Sequence, residues 1–325
     1  MSTTVTLAPR RLQLSAALTQ LLSRLLVVVL IGLALSLLSD VFLTRGNLLN
    51  VLRQASLLFF MASGLTLVVL TAGLDLSIGA NIALSACLAG SVMKATGEPL
   101  LGAAVGLAAG ACVGLCNGMM VALLRIPSFI ATYGMLWILQ GVTYAYMSGQ
   151  TIYGFPRSFR WIGNGLLFGV PVPILVMLGC LLLGSFFATR TIWGQQIYAI
   201  GANPVAARLS GVPVRNRLLL VYLVSGAMAG LAALVFLARL NSAEADIGGD
   251  LTLPAIAAVL IGGASLFGGV GTLTGTLIGA LLLTLVLNGM NLLGVDARWQ
   301  PIVTGSIILA AVLIDMRTGT ASKRT

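Results

Sequence analysis

The sequence predicts an all-α membrane protein, a polytopic bundle of about ten transmembrane helices, on three observations. Of 325 residues, 58% are hydrophobic and only 8% charged, with a mean hydropathy of +1.06, whereas a soluble domain carries about a quarter charged residues. Charge-free runs occupy 25–39, 54–74, 76–93, 99–124, 126–156, 161–189, 218–238, 251–295 and 299–314. Each is near or above the roughly 20 residues that cross the hydrocarbon core as a helix. The runs are rich in Leu, Ala and Gly and do not alternate, which argues against a membrane β-barrel.

The first span, 22–39, follows Arg10, Arg11 and Arg24. Ala34-Leu35-Ser36 would pass as a cleavage pattern, but nine further runs need a membrane address, so this is read as an uncleaved helix behind a cytoplasmic tail, 1–21. Spans 54–72 and 76–93 flank a glycine-bounded break at Gly73-Leu74-Asp75. Span 101–124 carries Gly102, Gly106, Gly110 and Gly114 at every fourth position, a small-residue face that lets helix backbones approach closely. Span 128–147 is followed by an outer loop, Ser148–Gly169, with Arg157 and Arg160.

Span 170–188 leads into an inner loop, 189–217, holding Arg190, Arg208, Arg215 and Arg217; span 218–238 follows. The long run 251–295 contains Phe267-Gly268-Gly269-Val270-Gly271 and is divided there into spans 251–266 and 271–290. The last span, 299–315, precedes a tail, 316–325. The body is thus one transmembrane domain, 22–315.

The formal charge of +10 marks helix ends instead of forming a basic patch interleaved with aromatics, so nucleic acid is not an expected partner. With the N-terminus in the cytoplasm, the inside holds Arg10, Arg11, Arg24, Arg125, Arg190, Arg208, Arg215, Arg217, Arg317, Lys323 and Arg324. The outside holds Arg45, Arg53, Lys94, Arg157, Arg160, Arg239 and Arg298. The excess inside predicts both termini to be cytoplasmic. The four cysteines lie in apolar runs and there is no His. Cys112 and Cys116 share a helix face but read as small packing residues; neither a metal site nor a disulfide framework is expected.

A weak internal similarity is present. Gly64–Gly79 runs apolar helix, break, apolar helix, and Leu253–Ala280 repeats that plan around Gly268-Gly269-Val270-Gly271. If spans 2–5 correspond to spans 7–10, the two halves have opposite orientation, an inverted repeat of the kind transporters use. A chance match in a glycine-rich chain is the competing reading.

Asp75 is the one acid embedded in the apolar sequence, and an ionised carboxylate is costly in the bilayer. Two readings stand. Gly73 closes one helix while Asp75 or Ser77 caps the next, or Asp75 belongs with Ser77 and Gly79 to a gate or ion site. In the inner loop, Asn203 supplies an N-cap, Pro204 the first helical position, Ala206, Ala207, Arg208 and Leu209 a short core, and Gly211 a stop. So short a helix is marginal alone and is expected to dock on something.

Three blocks carry a resemblance: Gly73-Leu74-Asp75-Leu76-Ser77-Ile78-Gly79; Gly194 to Gly211, including Asn203-Pro204 and Ala206-Ala207-Arg208-Leu209-Ser210-Gly211; and Ile261 to Thr272 around Gly268, Gly269 and Gly271. From about Asn47 to Asp315 the chain resembles the ribose/xylose/arabinose-type permease family, the membrane subunits of bacterial ABC sugar importers. The resemblance implies a permease dimer, of two copies or of paralogues, in the cytoplasmic (inner) membrane. It also implies a cytoplasmic ABC ATPase and a periplasmic sugar-binding protein, with Asn203–Gly211 as the coupling helix and a monosaccharide as substrate. No Gly-x-x-x-x-Gly-Lys-Ser/Thr occurs and only Lys94 and Lys323 are present, so no cofactor is expected on this chain and ATP with Mg²⁺ belongs to the ATPase.

For the pathway, Tyr133, Trp137 and Gln140 recur at i, i+4, i+7, and Asn81, Asn117, Asn288 and Asn291 add amides in or near spans. Amides suit sugar hydroxyls and aromatics suit an apolar ring face; interhelical hydrogen bonding and an aromatic belt are the alternative. An ion-coupled secondary carrier using Asp75 is the rival function. A polytopic membrane enzyme lacks a nucleophile–base pair or a metal cluster to support it.

Overall fold

The computed structural model describes residues 10–322, with side chains placed for 21–313 and Met316. The tails 1–9 and 323–325, and the side chains of Arg10, Arg11, Asp315 and Arg317, lie outside the described residues, as do Lys323 and Arg324. The chain is an all-α bundle: α1 (Arg10–Leu38), α2 (Arg45–Leu70), α3 (Ile78–Thr96), α4 (Pro99–Ala122), α5 (Ser128–Met147), α6 (Arg157–Asn164), α7 (Val172–Arg190), α8 (Ile192–Ala202), α9 (Pro204–Leu209), α10 (Val214–Leu240), α11 (Thr252–Ile261), α12 (Leu273–Leu292) and α13 (Gln300–Ser322). Among the described residues, strand structure amounts to two ribbons of two-residue strands. Ile152–Tyr153 pairs with Ser242–Ala243, and Leu166–Leu167 with Val170–Pro171.

Among the described residues, seven helices are long and apolar enough to cross a membrane: α1 (from Leu21), α2, α3, α4, α7, α10 and α12. Three expected spans fall short of that description for different reasons. Helix α5 has the length, but Ser128, Thr132, Gln140, Thr143 and its tyrosines dilute its hydropathy. Helix α13, with the turn before it, is apolar over Ala297–Leu313, up to the last of its contiguously described side chains. Helix α11 has ten residues where the sequence reading gave sixteen, 251–266. It stops because Gly263 turns left-handed (φ 83°), and the amides of Gly263 and Ala264 return to the carbonyls of Leu260 and Val259. At 1.5 Å per residue it is about 15 Å long, half a hydrocarbon core. Arg24 of α1 donates to the Gly262 carbonyl at this end (2.7 Å), a cation at a helix C-terminus.

Helix α2 is buried along most of its length, and its all-round apolar surface fits a helix enclosed by others. Helices α10, α11 and α12 pack on it, as do α7 and α8. Helix α10 packs in turn on α4, α2, α3 and α6. The expected glycine face divides: Gly102 and Gly106 pack against Ala89 of α3, while at the α4–α10 crossing a Cβ on Gly110 or Gly114 would press on the backbone of Gly226, Gly230 or Tyr222. Without a hydrophobic drive between helices in lipid, this backbone contact is what holds them together.

Helices α2 and α10 run antiparallel. Arg239 donates to Asn50 at one end (3.1 Å), and Tyr222 packs with Val68 and Leu70 at the other. Exchanging α2, α3, α4 and α5 for α10, α11, α12 and α13 converts the contacts α10–α4, α3–α4 and α3–α5 into α2–α12, α11–α12 and α11–α13, all of which occur. The break after α2 therefore corresponds to the segment before α11, not to Gly268–Gly271. That loop touches the α2 break directly and lies on the same side of the bundle, Gly269 N–H donating to Leu70 O (2.9 Å).

Candidate functional site

The loop 189–217 is more ordered than a connector. A Cβ on Gly194 would clash with the Phe187 and Ala188 carbonyls, and its absence lets the chain turn sharply out of α7. Thr191 caps α8 by accepting from Gly194 N–H. The sequence predicts loop over α8, but the Thr191 cap and the Ile197, Ile200, Gly201 spacing of its buried face signal the helix. Asn203 then caps α9, its side-chain oxygen accepting from Val205 and Ala206 N–H, both at 3.0 Å. Pro204 is the first helical residue, and Gly211 stops the turn at φ 82°.

Helix α9 is anchored by one residue. Ala207, 5% exposed, packs with Ile200 and Val214. Ala206 and Arg208 are exposed, and Val205 and Leu209, at i and i+4 on one face, are 66% and 84% exposed. A six-residue helix thus turns two apolar side chains and a cation outward. Of the residues expected to dock, Ala207 instead faces its own chain, and Val205 joins the outward set.

The end of α8 carries this helix into the bundle. Gly201 lies so close to Leu70 O and Gly269 N that a Cβ would overlap both. A Cβ on Gly268 would meet Ala72 and Gly201, and one on Gly269 would meet Ala202. Gly268, Gly269 and Gly271 have φ of 83°, 73° and 151°, conformations only glycine adopts freely. Tyr198 of α8 donates to Gly271 O (2.8 Å); burial pushes its phenol up, keeping it a protonated donor. Three backbones, at Leu70, Gly201 and Gly269, therefore meet with no side chain between them.

The α2–α3 break is closed differently from expectation. Ala72, not Gly73, takes the left-handed conformation (φ 59°), while Gly73 N–H returns to Val68 O (3.1 Å). Gly73 is needed for space: its Cβ would meet Tyr222 Oη at 2.9 Å. Ser128 and Thr132 of α5 accept from the Leu74 and Leu76 amides. Asp75, 2% exposed, accepts from Ser77 N (3.1 Å), Ser77 Oγ (2.7 Å), Ser225 Oγ (3.2 Å) and, at 3.5 Å, Asn117 Nδ2. Ser77 also accepts from Asn117 (2.8 Å), so one carboxylate ties the break to α4 and α10. Gly79 admits the backbone of Gly248 and the Thr252 side chain.

The seven pathway candidates divide, and one of them, Asn291, is an exposed acceptor from Gln300 (2.9 Å). Asn81 donates to Gly110 O and accepts from Ser85; Asn117 belongs to the Asp75 cluster; Asn288 exchanges hydrogen bonds with Asn47 (2.9 and 3.2 Å). These three are interhelical ties. Tyr133 and Trp137 are exposed on α5 with ring centroids 6.2 Å apart, edge to face, and Phe129 stacks on Tyr133. Gln140 lines a cavity of about 200 Å³ with Asp246, Asp250 and Thr252. The segment before α11 went unread although its signal was present: Asp250-Leu251-Thr252 repeats Asp75-Leu76-Ser77, each opening a helix.

The chain is 43% identical over 317 residues to the ribose import permease protein RbsC of Escherichia coli strain K12, covering 96% of this chain and 98% of that one. It is 39% identical to the ribose import permease protein of Bacillus subtilis, over 87% and 88% of the two chains. With the fructose import permease protein FrcC of Rhizobium meliloti it shares 35% identity, over 84% and 79%. No solved structure matches it. Residues 47–312 match the family described as branched-chain amino acid transport system, permease component, and the chain belongs to that family of transporter membrane subunits.

Proposed function

We propose that this chain is the membrane permease of an ATP-binding cassette importer for a monosaccharide, a pentose or hexose. In this reading it works as a dimer in the bacterial inner membrane with both termini cytoplasmic. A separate ATPase holding ATP and Mg²⁺ drives it, and a periplasmic sugar-binding protein feeds it. The names of its relatives support the sugar. The observation that carries the mechanism is α9: anchored by Ala207 alone, exposing Val205, Arg208 and Leu209, and joined through Gly201 to both broken segments.

ATP-driven movement of the partner displaces α9, and α8 passes the displacement to Leu70 and Gly269. The two antiparallel halves, an inverted repeat, then rock about their contact so that the pathway opens to one side at a time. The aromatic and amide face of α5, with Tyr133, Trp137 and Gln140, offers the sugar weak contacts. A transient site is sufficient, since a deep well would slow release.

Uptake of radiolabelled sugar into proteoliposomes tests this reading. It should require the ATPase and the binding protein, survive collapse of ion gradients, and be lost in Leu209→Asp or Arg208→Glu with the permease still inserted. Uptake by this chain alone, abolished by Asp75→Asn, would establish an ion-coupled carrier instead.

A further inference from the structure

Beside α9 lies an open pocket of about 410 Å³, bounded by the end of α4, the α9–α10 turn and the start of α10. Three guanidinium groups converge on it: Arg125 from the loop after α4, Arg208 from α9 and Arg215 from α10. No carboxylate lines it, and among the described residues the one ion pair is Arg298 with Asp296, elsewhere in the chain. All three arginines are exposed, and their side chains have no hydrogen-bond partner among the described residues. Arg217, on the same stretch, behaves oppositely: it donates to Gln196 and stacks 5.0 Å over Trp193. Arg125 sits at φ 57°, a left-handed backbone that is uncommon for a residue with a side chain.

Three like charges around one cavity repel in the isolated chain and are relieved only by anions. Guanidinium forks match carboxylates in pairs of parallel hydrogen bonds. The cavity lies within the range that holds a ligand group and is larger than one side chain needs. Arg208 of α9 forms part of its wall, so a partner docked on Val205 and Leu209 would sit next to the pocket. We propose that the pocket formed by Arg125, Arg208 and Arg215 receives acidic side chains of the ATPase subunit, as an electrostatic lock next to the apolar docking face of α9. The inference rests on the docking reading above and adds to it the chemistry of the partner's surface.

The test uses the full permease in nanodiscs and measures binding of its ATPase subunit between about 50 and 300 mM salt. Arg125→Gln combined with Arg215→Gln should weaken binding about tenfold at the lower salt and flatten its salt dependence, while Arg125→Lys with Arg215→Lys should stay within about threefold of the parent. Parent-like binding and an unchanged salt slope in the double Gln variant overturn the proposal. So does a loss seen only with phosphatidylglycerol and not in phosphatidylcholine discs, since the pocket would then hold a lipid phosphate. Leu209→Asp separates the two ideas. If it binds normally while the double Gln variant does not, α9 docking fails and the pocket stands. If the parent binds no ATPase, both fall.

Discussion

At Asp75 a carboxylate is enclosed without a cation, and every group that touches it is a neutral donor. That favours a knot between helices over an ion site, and the two have different consequences on substitution. In Asp75→Asn one oxygen still accepts from Ser77, and the Ser225 hydroxyl can turn from donor to acceptor. Thermal unfolding in detergent should show a loss of about 1 kcal/mol, with importer uptake within about threefold of the parent. Asp75→Ala strands the Ser77 amide and hydroxyl and the Ser225 hydroxyl and should cost about 2–4 kcal/mol. Gly201→Ala places a methyl on the Leu70 carbonyl and should abolish uptake while ATP hydrolysis continues in the assembled complex, a split read by paired uptake and phosphate-release assays. At this scale Asn203, Pro204 and Gly211 were legible because capping is local. The left-handed Ala72 was not: it is fixed by Tyr222 filling the space beside Gly73, a contact across about 150 residues.

Among the elements, the α4–α10 crossing makes the clearest demand on sequence. Gly114→Leu or Gly226→Val forces the two backbones apart and should lower stability by at least about 1–3 kcal/mol, measured as a fall in the midpoint of thermal unfolding. An exposed glycine with nothing near it, Gly134 of α5, gives the control: Gly134→Ala should leave that midpoint unchanged or raised. Spans could be read from charge-free runs because lipid tolerates little else. The early stop of α11 could not, since Gly262 and Gly263 sit inside a run as apolar as its neighbours and only the left-handed turn ends the helix. Helix α8 was missed for the converse reason, its cap and buried spacing being short and amid loop-like residues.

For the whole molecule, opposite orientation of two halves was foreseen, but from the wrong pair of loops. Gly268–Gly271 resembles the α2–α3 break in composition, whereas Asp250-Leu251-Thr252 resembles it residue by residue and opens the equivalent helix. The exposed aromatic face of α5 leads to a prediction about assembly. In a cysteine-free background, Trp137→Cys should cross-link two permease copies in membranes if that face lines a shared pathway, as read by a dimer band on non-reducing gels. Leu70, Gly201 and Gly269 meet main chain to main chain, and bonded backbone has no rotamer in which to absorb a push. A linkage with no slack gangs its outputs: if a partner pushes on α9 as proposed, the strut cannot shift one broken segment and leave the other at rest, and a single stroke would throw both latches together.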